Sequence, residues 1–253
     1  MQEQELKRYE EIGNWDFSQI KYITEQESTW DFYKEIHKVS TNSSLILDLG
    51  TGGGEKALNY LPNTGMIIGT DFSPNMVDTA NKNKKNYPDK NIKFVQMNNL
   101  NMTFPSNLFD IVSARHTIID AKQIYNVLAD NGTLIIEGID KDDCFELKEL
   151  FGRGQAYNDP ISISQIDYEN IKNAGFSHVN FQKIIQYEYY ETPDDLLALL
   201  LKTPILDDFS EMKTNNLHNP QIEKDLFDKY VKLHTTSKGI VLKRVIYGIV
   251  ATK

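Results

Sequence analysis

A glycine cluster directly after an apolar run constrains this chain more than any other feature. In LILDLGTGGGEKAL, residues 45–58, four glycines fall within five residues after the run LILDL. The run is continuous rather than alternating, which is typical of a strand covered on both faces. Glycines let the backbone turn sharply and approach a ligand without a Cβ in the way. The segment therefore predicts a ligand site at a strand end, although a tight turn without a ligand is the alternative.

Strand and helix patterns alternate after this turn. Further strand patterns follow at MIIGTD, IKFVQM, FDIVSAR and TLIIEGI, with helical patterns between them. Such alternation predicts an α/β fold with a Rossmann-like, doubly wound and mostly parallel sheet. Two long strand patterns near the C-terminus, HVNFQKIIQYEYY and IVLKRVIYGIVATK, are expected to pair antiparallel at one edge. The last strand is thus predicted to be antiparallel.

Two segments are expected to add to this core. Residues 1–43 are rich in aromatic side chains and are predicted to form an N-terminal helical and aromatic cap. Residues 44–253 form the main domain, with an insertion at 192–238 between the last two strands. The insertion begins with the helix pattern TPDDLLALLL. Because long insertions in compact domains usually carry function, we expect a helical lid over the ligand site, with a dimer interface as the alternative.

Charge and composition exclude several classes of partner. The formal net charge is −9, so the surface repels phosphate backbones and nucleic acid is an unlikely partner. No apolar run approaches the roughly 18 residues of a membrane span, and the N-terminal residues lack the apolar core of a signal peptide. We therefore expect a cytoplasmic protein, monomeric or homodimeric. The five histidines lack paired spacing, so no metal site is expected.

The residues around the turn narrow the choice of ligand. The dinucleotide fingerprint G-x-G-x-x-G would need a small residue where this chain has Glu55, and no Gly-Lys-Ser/Thr of a P-loop follows. A ligand without phosphates fits better, and Asp48 and Glu55 would attract positive charge. Asp71 ends the second strand, where a carboxylate can accept hydrogen bonds from ribose hydroxyls. Its alternative role is electrostatic, at the start of the next helix.

The chain resembles the class I S-adenosylmethionine-dependent methyltransferases in three segments. They are LDLGTGGGE with Asp71, MNNLNMTFPSNLFDIV, and NAGF. The resemblance covers residues 44 to about 190, and the strand RVIYGIVATK is similar to the family's antiparallel last strand. It implies S-adenosyl-L-methionine as cofactor, with its amino-acid part on the glycine turn, its ribose on Asp71 and its adenine beside Phe72. The cofactor-binding residues that it implies are Asp48, Gly50, Thr51, Gly52, Gly54, Asp71, Phe72, Asn98 and Asn99.

The segment MNNLNMTF, which follows the third strand pattern, departs from the family at two positions. An Asp-Ala pair is usual there, and this chain has Asn98 and Asn99. The Asn98 carbonyl oxygen can still accept from the adenine amino group, but without charge assistance, so we expect weaker cofactor binding. The segments NWDFS, STWDFY and ARHTIID resemble a bacterial, small-molecule-type subgroup of these enzymes.

The segment ARHTI after the fourth strand supplies the candidates for chemistry. His116 could remove a proton from an acceptor, or be an ordinary hydrogen-bonded loop histidine. Arg115 could hold an acceptor carboxylate, or pair with an acid such as Asp120 or Glu137. Aromatic residues of the N-terminal segment, Trp15, Trp30 and Tyr33, could contact the sulfonium or belong to the core.

The sequence thus predicts an enzyme that transfers a methyl group from S-adenosylmethionine to a small-molecule acceptor, with no membrane association. Whether the acceptor atom is oxygen or nitrogen stays open. The alternatives are a cofactor-binding protein without catalysis and an NAD-dependent oxidoreductase, against which Glu55 argues.

Overall fold

The computed structural model describes residues 19–206 and 220–253, which build one sheet with helices on it. In chain order the strands are β1 (Tyr22–Gln26), β2 (Leu45–Leu49), β3 (Met66–Asp71), β4 (Ile92–Gln96), β5 (Phe109–Arg115), β6 (Leu128–Ile139), β7 (Ser177–Tyr190), β8 (Thr235–Thr236) and β9 (Gly239–Thr252). The helices are α1 (Phe32–Val39), α2 (Glu55–Tyr60), α3 (Pro74–Lys84), α4 (Ala121–Val127), α5 (Phe145–Phe151), α6 (Ile163–Ala174), α7 (Pro193–Lys202) and α8 (Pro220–His234), with a 3₁₀ turn at Pro204–Leu206.

The centre of the sheet is parallel. Strands lie in the order β4-β3-β2-β5-β6, and each neighbouring pair runs in the same direction. Along the chain, β3 and β4 are added in turn on one side of β2, and β5 and then β6 are added on its other side. The strand order therefore switches between β2 and β5, where open α/β sheets leave a crevice at their carboxyl ends. This arrangement confirms the predicted doubly wound fold.

One edge of the sheet is antiparallel. Strand β9 pairs antiparallel with both β6 and β7, as predicted for the last strand. The N-terminal segment differs from expectation, because residues 22–26 form β1 and pair antiparallel with β7. All five side chains of β1 are exposed, so no buried face marks this strand in the sequence. Within residues 19–43, the described part of this segment, the helix is α1, and Trp15 lies outside the described residues.

Local capping signals set several helix ends. Ser73 accepts a hydrogen bond from the Met76 N–H at the start of α3, and Pro74 occupies the first helical position. Thr192 and Asp195 form a capping box at the start of α7. Gly175 closes α6 in a left-handed conformation, φ +103°. Among helices within residues 19–206 and 220–253, none combines the length and apolar character needed to cross a bilayer.

Apolar cores cover both faces of the parallel strands. Helices α1, α2 and α3 bury one face around Ile36, Ile46 and Ile111. Helices α4 and α6 bury the other around Val112, Ile124 and Ile171. Helices on both faces explain why the central strands are apolar throughout.

A third apolar cluster builds a helical cap beyond the carboxyl ends of the parallel strands. Strand β9 pairs with β6 only over residues 246–252, so residues 239–245 continue past the end of β6. This extension and the end of β7 carry helices α5, α7 and α8 and the 3₁₀ turn. We call these three helices and the 3₁₀ turn together the cap, which is distinct from the predicted N-terminal cap of residues 1–43. Its core contains Tyr190, Leu200 and Leu242, all buried. The cap thus stands on the crevice side of the sheet.

A buried carboxyl pairs with a tyrosine between α6 and β9. The Tyr247 hydroxyl donates to Asp167 Oδ2 at 2.5 Å, and both side chains are buried. The Tyr247 ring lies against Gly138, where an added Cβ would come within 2.2 Å of it. Burial raises the pKa of Asp167 to about 6, although the bond from Tyr247 acts to lower it.

This pair gives the fold a defined pH dependence. The unfolded chain releases the Asp167 proton near pH 3.9 and the folded chain near pH 6, so between these values the folded state holds more protons. The unfolding free energy therefore falls as pH rises through this window. Asp167→Asn cannot ionise and keeps an oxygen acceptor for Tyr247. We expect it to match the parent protein near pH 4 and to be more stable by about 1–3 kcal/mol at pH 7.

Denaturant unfolding at pH 4, 5, 6 and 7 measures this difference. The exposed Asp89→Asn serves as the control for the loss of one carboxyl group. A difference between Asp167→Asn and the parent that does not change with pH would contradict the account.

Candidate functional site

The glycine turn joins β2 to α2 and is built from three left-handed glycines. The φ angles are +67° at Gly50, +59° at Gly52 and +78° at Gly54, a region that favours glycine. A Cβ on Gly50 would lie 2.6 Å from the Thr117 side chain, and one on Gly54 would lie 2.8 Å from Phe94. Beside Gly52, by contrast, no atom of the described residues lies within 4 Å of such a Cβ. Packing therefore explains two of these glycines, while Gly52 borders open space.

Asp71 fixes this turn to the end of β3. Its Oδ2 accepts a hydrogen bond from the Gly52 N–H at 2.9 Å, and its Oδ1 accepts one from the Ser73 N–H at 2.9 Å. Burial raises the pKa of Asp71, while these backbone N–H groups act to lower it. Each carboxylate oxygen can accept a second hydrogen bond. Asp71 therefore has a structural role that the sequence did not reveal, in addition to the predicted contact with ribose.

Glu55 lies against the same turn. Its Oε1 accepts a hydrogen bond from the Asn83 side chain, which also donates to the Gly53 carbonyl. A Cβ on Gly53 would come within 2.7 Å of the Glu55 carboxylate oxygens. A phosphate bound at this turn would face that carboxylate, which supports a ligand without phosphates.

The other predicted cofactor residues lie along the same edge. Asp48 near the end of β2 is buried and accepts a hydrogen bond from Ser113 Oγ at 2.7 Å, and burial raises its pKa. Phe72 follows β3 with 40% of its surface exposed. Thr51 lies in the turn, and its N–H donates to the Thr70 carbonyl at 2.8 Å. The ends of β2, β3 and β4 are neighbours, so the structure brings these residues together.

The two asparagines after β4 behave differently. Asn99 donates through Nδ2 to Thr117 Oγ1 at 3.1 Å and ties the loop after β4 to the loop after β5. Asn98 is exposed, and its Oδ1 accepts from the Leu100 N–H at 2.9 Å. An amide oxygen has two lone pairs, so the Asn98 oxygen keeps one site for a ligand donor. The side chain of Asn99 is committed to the protein itself.

Arg115 and His116 share one buried acid at the end of β5. Arg115 Nε lies 2.6 Å from Glu137 Oε1 in an ion pair, and His116 Nε2 lies 3.1 Å from the same oxygen. Of the two roles left open for Arg115, the structure shows the pairing with Glu137. Burial and the neighbouring charges of Arg115 and Arg244 lower the pKa of His116, although Glu137 acts to raise it. The catalytic roles of Arg115 and His116 remain predictions.

These polar residues occupy one face of the sheet. Asp48 is paired with Ser113, Arg115 with Glu137, and Glu137 with Gly248. Directly paired residues point to the same face, so the polar side chains line one surface above the carboxyl ends of the strands.

Two aromatic residues of the N-terminal segment border this surface. Trp30 lies against Gly248, where an added Cβ would come within 2.4 Å of the indole. Burial raises the pKa of Tyr33, and the charges of Arg115, Asp48 and Glu137 reach its hydroxyl. Trp30 and Tyr33 also pack against the core formed with α1, α2 and α3, as the core alternative predicts.

Sequence reasoning missed Ser113 and the role of Thr117. Ser113 is a polar residue in an otherwise apolar strand, and this is a signal that it has a specific partner. Thr117 fills the space that Gly50 leaves open, a relation that depends on tertiary structure.

Comparisons with known proteins indicate a class of enzyme. Residues 46–132 match a family of methyltransferase domains. A 2-phytyl-1,4-naphtoquinone methyltransferase of Nostoc punctiforme is 29% identical over 121 residues, 46% of this chain and 50% of that protein. A malonyl-[acyl-carrier protein] O-methyltransferase of a Paenibacillus species is 26% identical over 78% of both chains. The crystal structure of YcgJ from Bacillus subtilis superposes with a TM-score of 0.59 at 16% identity, covering 87% of this chain and 96% of that one.

These matches confirm the class predicted from the sequence. Residues 46–132 match methyltransferase domains, and the chain has the fold of the YcgJ structure. It spans about half the length of the Nostoc relative.

We expect Asp71→Ala to destabilise the fold because the Gly52 and Ser73 N–H groups both lose their acceptor. The unfolding free energy should fall by about 1–3 kcal/mol, and the Gly52 amide should exchange with solvent faster. Denaturant unfolding and amide hydrogen exchange measure the two effects. Asp78→Ala, at an exposed position on α3, is the matched control. Equal stability of the two variants would remove Asp71 from its structural role.

Proposed function

We propose that the protein transfers a methyl group from S-adenosyl-L-methionine to a small-molecule acceptor in the cytoplasm. One observation carries the proposal. The glycine turn after β2 is held by Asp71 at the end of β3, and the Gly52 position of this turn borders open space. Such a turn can receive the amino-acid part of the cofactor close to the backbone, while Asp71 accepts from its ribose hydroxyls.

The charges around the turn fit this cofactor. The buried Asp48 and the Glu55 carboxylate favour a ligand with an ammonium and a sulfonium over one with a pyrophosphate. The exposed Phe72 ring and the Asn98 oxygen follow in the order expected for the adenine. When bound, the cofactor supplies an electrophilic methyl group, so the chain must align the acceptor, exclude water and handle a proton.

The cap provides a wall of the acceptor pocket in this proposal. It stands on the extensions of β7 and β9 beyond the carboxyl ends of the parallel strands. Leu196, Leu199 and Leu200 of α7 are buried within it, so this apolar face is already covered and is not free for a dimer interface. The remainder of the predicted insertion, residues 207–219, lies outside the described residues. The acceptor is a small molecule, as it is for the Nostoc relative.

A paired glycine substitution tests the cofactor site. Gly52 and Gly152 are both left-handed, at +59° and +65°, and beside each no atom of the described residues lies within 4 Å of an added Cβ. Gly152 ends α5 in the cap. Alanine at either position carries a similar backbone strain of about 1–2 kcal/mol. Only Gly52→Ala places a methyl group where the cofactor would approach.

Titration calorimetry with S-adenosylhomocysteine gives the readout. We expect the parent protein and Gly152→Ala to bind it equally, Gly52→Ala to bind at least about tenfold more weakly, a loss of about 1.4 kcal/mol, and NAD not to bind. Equal binding by the two variants would show that Gly52 does not line the cofactor site. Binding of NAD alone would favour the oxidoreductase alternative.

A further inference from the structure

The carboxylate of Glu137 connects two polar residues at the end of β5. It is 7% exposed, and its Oε1 lies within 3.1 Å of both Arg115 Nε and His116 Nε2. The backbone carbonyl of Glu137 also accepts the His116 N–H at 2.8 Å. One residue of β6 thus holds the backbone of His116 by a hydrogen bond and places its carboxylate beside the ring.

His116 has a left-handed backbone. Its φ angle is +52°, a region that is uncommon for residues other than glycine, although histidine adopts it more often than most. The hydrogen bond from its N–H to the Glu137 carbonyl helps to hold this conformation. The ring remains about one-third exposed, at the carboxyl edge of the strand beside the cofactor turn. The left-handed conformation therefore places the imidazole at the crevice rather than in the core.

We propose that Glu137 is a positioning residue that orients His116 as general base toward an acceptor hydroxyl, and that the acceptor is a neutral, weakly acidic hydroxyl compound such as a phenol or an enol. This proposal rests on the function proposed above and specifies its acceptor.

The charges at this position favour a hydroxyl over other acceptors. Glu137 compensates the guanidinium of Arg115, so Arg115 does not present an uncompensated charge to an acceptor carboxylate. A carboxylate also needs no base, and an alkylamine enters as an ammonium at pH 7, so its full charge would have to be desolvated beside the Arg115 guanidinium. A hydroxyl enters the site uncharged, which avoids the desolvation of a full charge, and it becomes a good nucleophile only when its proton is removed.

The proton path follows from the geometry. Nε2 of His116 lies 3.1 Å from Glu137 Oε1, so a hydrogen on Nε2 would face a carboxylate and the lone pair of Nδ1 would be left to accept the hydroxyl proton. Burial and the nearby Arg115 and Arg244 keep the pKa of His116 low, so the ring is neutral at pH 7. The acceptor oxygen would form its bond to the methyl carbon as the carbon–sulfur bond of the bound cofactor breaks, which would leave a neutral thioether. The positive charge ends on the imidazolium, next to Glu137.

Nuclear magnetic resonance of ¹⁵N-histidine protein tests the positioning role. His116 signals are assigned by comparison with His116→Gln. We expect the neutral ring to carry its proton on Nε2, and Glu137→Gln to lower the titration midpoint of His116 because a negative charge is lost beside it. Asp140→Asn is the control, since this buried acid follows the same strand but bonds Ser164 and Lys183. A proton on Nδ1 in the parent protein, or equal midpoints in the two variants, would overturn the proposal.

Three probes with one ring system test the acceptor class: 2-naphthol, 2-naphthylmethylamine and 2-naphthoate. Mass spectrometry detects the methylated product of each. We expect methylation of the naphthol, a loss of about 10²–10⁴-fold in His116→Gln at pH 7, and partial recovery at pH 9.5, where the naphthol ionises in solution. Transfer to the amine or the carboxylate but not to the naphthol would overturn the acceptor class. Calorimetry with S-adenosylhomocysteine on the same samples separates failure of this inference from failure of the proposed function.

Discussion

The hydrogen bond from the Gly52 N–H to the Asp71 carboxylate holds the candidate site together. This 2.9 Å hydrogen bond joins the turn after β2 to the end of β3. The second Asp71 oxygen accepts a hydrogen bond from the N–H of Ser73, the N-cap residue of α3. Two strand ends and a helix start are thus fixed by one side chain. The open space beside Gly52 depends on this arrangement together with the Thr51 N–H bond to the Thr70 carbonyl and the close packing of Gly50 and Gly54.

The same edge of the sheet carries buried polar side chains at a considerable desolvation cost. Asp48, Ser113, Arg115 and Glu137 lie on one face, and they offset that cost by pairing with one another. Glu137 is buried, and the partly exposed Arg115 compensates its charge. We interpret the retained polar groups as the floor of the acceptor pocket, between the cofactor turn and the cap.

Local signals in the sequence predicted much of the fold. The apolar run before the glycine turn, the Ser73 cap with Pro74, and the capping box at Thr192 each depend on residues within four positions of one another. Strand β1 could not be predicted, because its side chains are all exposed and only its pairing with β7 makes it a strand. The ion pair of Arg115 and Glu137 likewise depends on the register between β5 and β6, which no local pattern specifies. Helix α4 ends at Val127 and β6 begins at Leu128, so this boundary has no loop between the two elements.

A crystal structure of the protein with bound S-adenosylhomocysteine tests the central claim most directly. We expect the amino-acid part of the ligand along residues 50–54, with its closest backbone approach at Gly52, and both ribose hydroxyls within hydrogen-bonding distance of Asp71. A ligand bound elsewhere on the sheet, or one that leaves the space beside Gly52 unfilled, would contradict the account.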